Sequence, residues 1–181
     1  MPNKPRVYID SCYYIDVAKG RLSLTLDPGR DQHIPFIEKL LLAALNDDVE
    51  IWAPTFVIAE CLAVEKGDMD VPPEVREMFS RILTSGSPVK MQAVDVFIAE
   101  RARDLRWIHH IKCGGGADSI HVATALELNC EEFISTNSKR GPLNADAAAK
   151  LAKMGLRVIE APQTAALPAQ YRKPLLDESG A

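Results

Sequence analysis

The feature that most constrains this chain is a rhythm of five short apolar or β-branched runs, at residues 6–10, 50–53, 89–94, 132–136 and 156–160, separated by helix-length stretches. Strands that alternate with helices at this spacing form βαβ units, and such units build a parallel sheet covered on both faces. The intervening stretches predict helices over residues 11–19, 36–46, 55–66, 74–83, 95–106, 118–128 and 144–154. Residues 20–35 carry weak periodicity and several breakers, which reads as a long loop and a candidate mobile flap.

A chain of 181 residues with 47% hydrophobic positions can bury a core without disulfides or a structural metal. One domain over residues 1–161 is expected, with a polar, proline-interrupted tail or arm at 162–181. The four cysteines, Cys12, Cys61, Cys113 and Cys130, form no C-x-x-C pair, so reduced thiols in a cytoplasmic protein are expected. The first residues enter only a short strand and provide no signal-peptide core, and no apolar run is long enough to span a membrane. A net charge of −4 excludes an unselective coat for polyanions and leaves room for a local cationic or metal-bridged contact.

Three acids stand out. Asp10 ends the first strand, and ligands of open parallel sheets gather at carboxyl ends of strands where the strand order reverses. The competing role for Asp10 is a helix N-cap. Glu60 lies in TFVIAECLA with apolar residues on both sides, so it is at least half buried and needs either a cation or a salt-bridge partner such as an arginine. Asp118 follows three glycines and opens the apolar stretch ADSIHVATALEL, where it too could be an N-cap. Two carboxylates about 4 Å apart repel by roughly 4 kcal/mol at an effective dielectric of 20, so gathering all three demands a cation. Oxygen-only ligands select hard ions such as Mg²⁺ or Mn²⁺, which bind phosphate oxygens and acidify bound water.

The blocks VYIDSCYYID, PTFVIAECLA, ADSIHVATALELNCEEFISTNSKR and LRVIE resemble a PIN domain, the nuclease fold typical of VapC-like toxins of toxin–antitoxin pairs. The resemblance runs over roughly residues 6–160 and includes the order and spacing of the blocks. It implies a three-layer α/β/α sandwich around a five-stranded parallel sheet, and a Mg²⁺- or Mn²⁺-dependent endoribonuclease. Carried over by position, Asp10, Glu60 and Asp118 would be the catalytic acids and metal ligands, with Ser11 and Thr136 as supporting hydroxyls. The family usually carries an acid two residues after Thr136, where this chain has Ser138; Asn137 or Ser138 could supply a neutral oxygen instead. Asp146 is a remote substitute inside an expected helix. Lys139 and Arg140 would hold the RNA backbone. The implied partners are RNA, a small antitoxin and a second copy of the chain.

Other signals rank below these. His109, His110 and Cys113 form H-H-x-x-C without a matching second half, and Gly114 to Gly116 lack the Lys-Ser/Thr of a P-loop. His121, one turn after Asp118, could orient it or touch RNA, or could be a packing residue. Arg101, Arg103, Arg106 and Lys112 read as a polar helix face, and Trp52 and Trp107 as core. Two alternatives to the nuclease stay open. One is a catalytically weak PIN domain serving RNA or protein binding. The other is a phosphatase with Asp10 as nucleophile, which would want an acid where Cys12 stands.

Overall fold

The computed structural model describes residues 4–62, 64, 70–84, 88–136 and 143–172. Five strands, β1 (Arg6–Ile9), β2 (Glu50–Pro54), β3 (Val89–Gln92), β4 (Glu132–Ile134) and β5 (Arg157–Ile159), form one sheet in the order β3-β2-β1-β4-β5. Every pairing is parallel. The strand order reverses at β1, whose neighbours are β2 on one side and β4 on the other.

Alternation along the strands sorts side chains into two cores. Val7, Ile9, Ile51, Ala53 and Ile134 face a layer made by α1 (Ser11–Arg21), α2 (Ile34–Leu45), α3 (Val57–Glu60) and α4 (Pro73–Leu83). Tyr8, Trp52 and Phe133 face the opposite layer of α5 (Val96–Trp107), α6 (Gly116–Glu127) and α7 (Ala145–Lys153). The result is the expected α/β/α sandwich. No described helix is long and apolar enough to cross a membrane.

The chain turns from helix to strand three times by one device. After α2, α6 and α7 the next-but-one residue, Asp47, Asn129 or Gly155, takes positive φ. The following N–H then bonds back to the helix: Asp48 to the Ala43 carbonyl, Cys130 to Ala125 and Leu156 to Leu151. This closure satisfies carbonyls at the helix end and aims the chain into the next strand.

Four expectations need correction. The helix predicted over 55–66 is a single turn, α3, because Cys61 leaves helical geometry (φ −84°, ψ 51°) and its side chain packs into the core instead of continuing the helix. Residues 63, 65 and 66 lie outside the described residues. The segment read as a mobile flap is pinned to α1: Arg30 donates to Asp16 at 2.7 Å, and the Tyr13 hydroxyl meets His33 Nδ1 at 2.9 Å. Trp107 is not core; it is 67% exposed at the end of α5. Asp118 does not begin its helix, which starts at Gly116.

Residues after Pro162 also carry structure. A 3-10 turn (Ala161–Gln163) and a short helix, α8 (Ala169–Arg172), follow β5, and Ala166 and Leu167 are buried in the first core. Their anchor is Glu132, only 1% exposed at the start of β4. It accepts from the Thr164 hydroxyl at 2.6 Å, from the Ala165 N–H at 2.9 Å and from the Arg157 guanidinium. A buried carboxylate is tolerable only with such donors.

Glu132→Gln replaces one acceptor oxygen by an NH₂ facing those donors, and we expect a loss of about 1–3 kcal/mol in urea unfolding. The four thiols are free. Burial pushes Cys113 up to about 11, and Cys61 and Cys130 up to about 12, from an ordinary 9.0. Above that ordinary value the unfolded chain loses thiol protons that the folded chain keeps, so stability falls as pH rises toward the folded values. Buried Tyr8, Tyr13 and Tyr14, also raised, act in the same direction. The urea midpoint should therefore drop from about pH 8.5 to about pH 10.5, across the ionisation range of exposed thiols.

Candidate active site

Asp10 leaves β1 at the point where the sheet order reverses, and its N–H bonds the Ile134 carbonyl of β4 at 3.0 Å. Its backbone occupies the N-cap position of α1, but its carboxylate does not cap that helix. Oδ2 instead accepts a 2.6 Å hydrogen bond from the Ser135 hydroxyl, and among the described residues Oδ1 has only a long 3.4 Å contact from Ser11. The capping role considered for Asp10 is therefore not what its side chain does. The residue is 8% exposed and lies at the adjacent carboxyl ends of β1 and β4.

Strand parity decides which hydroxyl reaches it. Ile9 pairs with Ile134, so Asp10 and Ser135 are the next residues in register and emerge on the same face. Thr136, one residue further, falls on the other face and directs its hydroxyl to Cys12 Sγ at 3.4 Å. Ser135 is thus a residue that sequence reasoning passed over in favour of its neighbour. Counting alternation from Asp10 across the β1–β4 pair would have found it.

Parity also puts Tyr8 beneath Asp10. Its ring stacks on Phe133 with centroids 4.8 Å apart, and its hydroxyl hydrogen-bonds His121 Nδ1. His121, buried on α6, presents Nε2 to Glu60 Oε2 at 2.8 Å. Burial, reinforced by the Asp10 charge, pushes the Tyr8 hydroxyl well above its ordinary range, so it stays protonated and donates. His121 Nδ1 is then the acceptor, and Nε2 carries the proton given to Glu60. The partner expected for Glu60 among arginines is this histidine. Phe56 packs against the same imidazole with ring centroids 4.8 Å apart.

Asp118 lies one turn before His121 on α6, at the third helical position. Its Oδ2 accepts the Gly115 N–H at 2.8 Å, closing the first turn in capping-box fashion. The capping role considered for Asp118 is therefore real, from inside the helix. A Cβ at Gly115 would stand 3.7 Å from that oxygen, an ordinary contact, and the residue has φ −83°, so this closure does not itself require glycine.

The three acids therefore lie just after β1, at the end of α3 and in the first turn of α6, each fixed by a different donor. Among the described residues, no three His, Cys, Asp or Glu side chains converge closely enough to hold a metal ion. The donors themselves suit a hard divalent ion. Glu60 Oε1 and Asp118 Oδ1 accept no hydrogen bond from a described residue, and Asp10 Oδ1 only the long one from Ser11. Tyr14 Oη, buried in the same region, has no partner among the described residues. Asn137, Ser138, Lys139 and Arg140 lie outside the described residues. Asp146 sits on α7 and pairs with Lys150 at 2.8 Å, as an ordinary helix-surface acid.

Residues 27–154, well over half of the chain, match the PIN domain family. The chain belongs to this family. The matched span contains Glu60 and Asp118 and begins after Asp10. PIN domains are generally nucleases that use divalent metal ions, and the family suggests RNA binding. No curated protein matches the chain.

Tyr8→Phe removes the donor to His121 Nδ1 and leaves a buried acceptor unmet. We expect a stability loss of about 1–3 kcal/mol by urea unfolding. Nitrogen-15 spectra of the wild type should show His121 as the Nε2–H form, and Tyr8→Phe should alter that signal.

Proposed function

We propose that this PIN domain is a Mg²⁺- or Mn²⁺-dependent endoribonuclease of the VapC-like type, cleaving RNA phosphodiester bonds at the carboxyl end of β1. The observation that supports this most is the Asp10 carboxylate, buried at the strand-order reversal and oriented by Ser135 instead of capping its own helix. Asp10 and Asp118 would hold the ion, with Glu60 bound directly or through water. When bound, a divalent ion draws in phosphate oxygens and acidifies a water for attack on phosphorus.

The residues of the chain do the positioning. Ser135 holds one Asp10 oxygen and leaves the other nearly unengaged. His121 fixes Glu60, with Tyr8 fixing His121 in turn. The Gly115 N–H orients Asp118. Ser11, Thr136, Asn137 and Ser138 are proposed as supporting oxygens, and Lys139 and Arg140 as contacts to the RNA backbone. In this reading the protein is cytoplasmic, acts as a homodimer and is held in check by a small antitoxin.

A second reading is a catalytically weak PIN domain that binds RNA or protein. It is favoured by the engagement of Glu60 with His121 and by the absence, among the described residues, of a ready three-ligand cluster. One experiment separates the two. Purified protein incubated with RNA and Mn²⁺ should cleave, and Asp10→Asn and Asp118→Asn should each lower the rate by about 100-fold or more, the scale of a lost electrostatic contact in a transition state. Equal cleavage by wild type and Asp118→Asn would remove the assignment. Absent cleavage with no calorimetric Mn²⁺ binding would favour the weak module.

A further inference from the structure

The first turn of α6 and the last turns of α5 enclose a cavity of about 370 Å³ whose charged lining is entirely cationic, Arg103, Arg106 and Lys112, in a chain of net charge −4. Trp107 forms part of the wall and is 67% exposed. The Arg103 guanidinium lies 5.0 Å from its ring centroid, and Arg103 also reaches Asp104 at 3.1 Å and Glu100 at 4.0 Å on the outer side of α5. Arg106 and Lys112 have no acidic partner among the described residues. Gly116 and Ser119 complete the rim, and Asp118 lies between them on the same turn.

Trp107 is exposed apart from its Arg103 contact, and Arg106 and Lys112 line the same cavity with no acidic partner among the described residues. Both features are explained by a ligand that has a flat face and negative charge together. Single-stranded nucleic acid has both, since its bases stack on aromatic rings and its phosphates meet cations. The cavity volume falls within the range of small-ligand sites, which suits one nucleotide. Duplex does not suit it, because paired bases offer no free face to Trp107.

We propose that this cavity is a docking site for one nucleotide of a single-stranded RNA, with a base stacked on Trp107 and the flanking phosphates on Arg106 and Lys112. The inference deepens the nuclease reading, and rests on it, by assigning the path of the strand: RNA seated here runs past the start of α6, where Asp118 stands. It adds Trp107, Arg106 and Lys112 as binding residues of a cavity whose rim is the turn that carries Asp118.

The test is fluorescence anisotropy of the full chain with fluorescein-labelled single-stranded RNA in EDTA, which separates binding from cleavage. Trp107→Ala should weaken Kd about tenfold, with Trp107→Phe retaining most of the affinity. Arg106→Gln and Lys112→Gln should each lower the salt slope of log Kd by about 1. All three side chains are exposed, so circular dichroism and melting should match the wild type. Wild-type binding that Trp107→Ala weakens supports the site even where no cleavage occurs, so it survives a failure of the nuclease reading. No wild-type binding, or a Kd changed less than about twofold by Trp107→Ala, overturns it. Cleavage with unchanged KM in Trp107→Ala also overturns it and leaves the nuclease reading standing.

Discussion

Both edges of β1 are hydrogen-bonded, to β2 on one side and to β4 on the other, and the remaining architecture follows from that one placement. A central parallel strand must be covered on both faces, which is why Val7 and Ile9 enter one core and Tyr8 the other. Its carboxyl end is also where the strand order reverses, the position at which open parallel sheets place their ligands. Asp10 is the residue delivered to that position.

Buried and half-buried carboxylates are the expensive part of this fold, and three of them are met by donors of different kinds. Glu132 is surrounded by a guanidinium, a hydroxyl and a backbone N–H, and it works as a structural anchor for the segment after β5. Asp10 has one strong hydroxyl donor and keeps the other oxygen nearly unengaged. Glu60 is held by the His121 imidazole, itself held by a phenol. The contrast separates a saturated acid, whose role is stability, from acids with unspent acceptor capacity.

The elements that were legible in the sequence were those dictated by local pattern. Four of the five strands fall within their apolar runs and β2 extends one residue past its own, and α2, α4, α5 and α7 lie close to their expected spans, because periodicity of burial is written residue by residue. Asp95 caps α5 through Ile98 N, and Asn144 caps α7, as residues of their type do. The failures share a different cause. TFVIAECLA has no internal stop, yet its helix ends at Glu60 because the core takes Cys61. The loop before α2 looks free until Asp16 and Tyr13 of α1 hold it, and Trp107 looks like core until α5 turns it outward.

The candidate site divides along the same line. Sequence by itself determined the fold class and singled out Asp10, Glu60 and Asp118 as acids worth explaining, since a carboxylate at a strand end or among apolar residues is unusual wherever the chain goes. Only the tertiary structure decided that Ser135, not Thr136, serves Asp10, that His121 and Tyr8 stand behind Glu60, and that Asp118 turns back on Gly115. Those partners lie up to 125 residues apart in the chain, so they depend on register and strand parity across the sheet, which no local window of sequence contains.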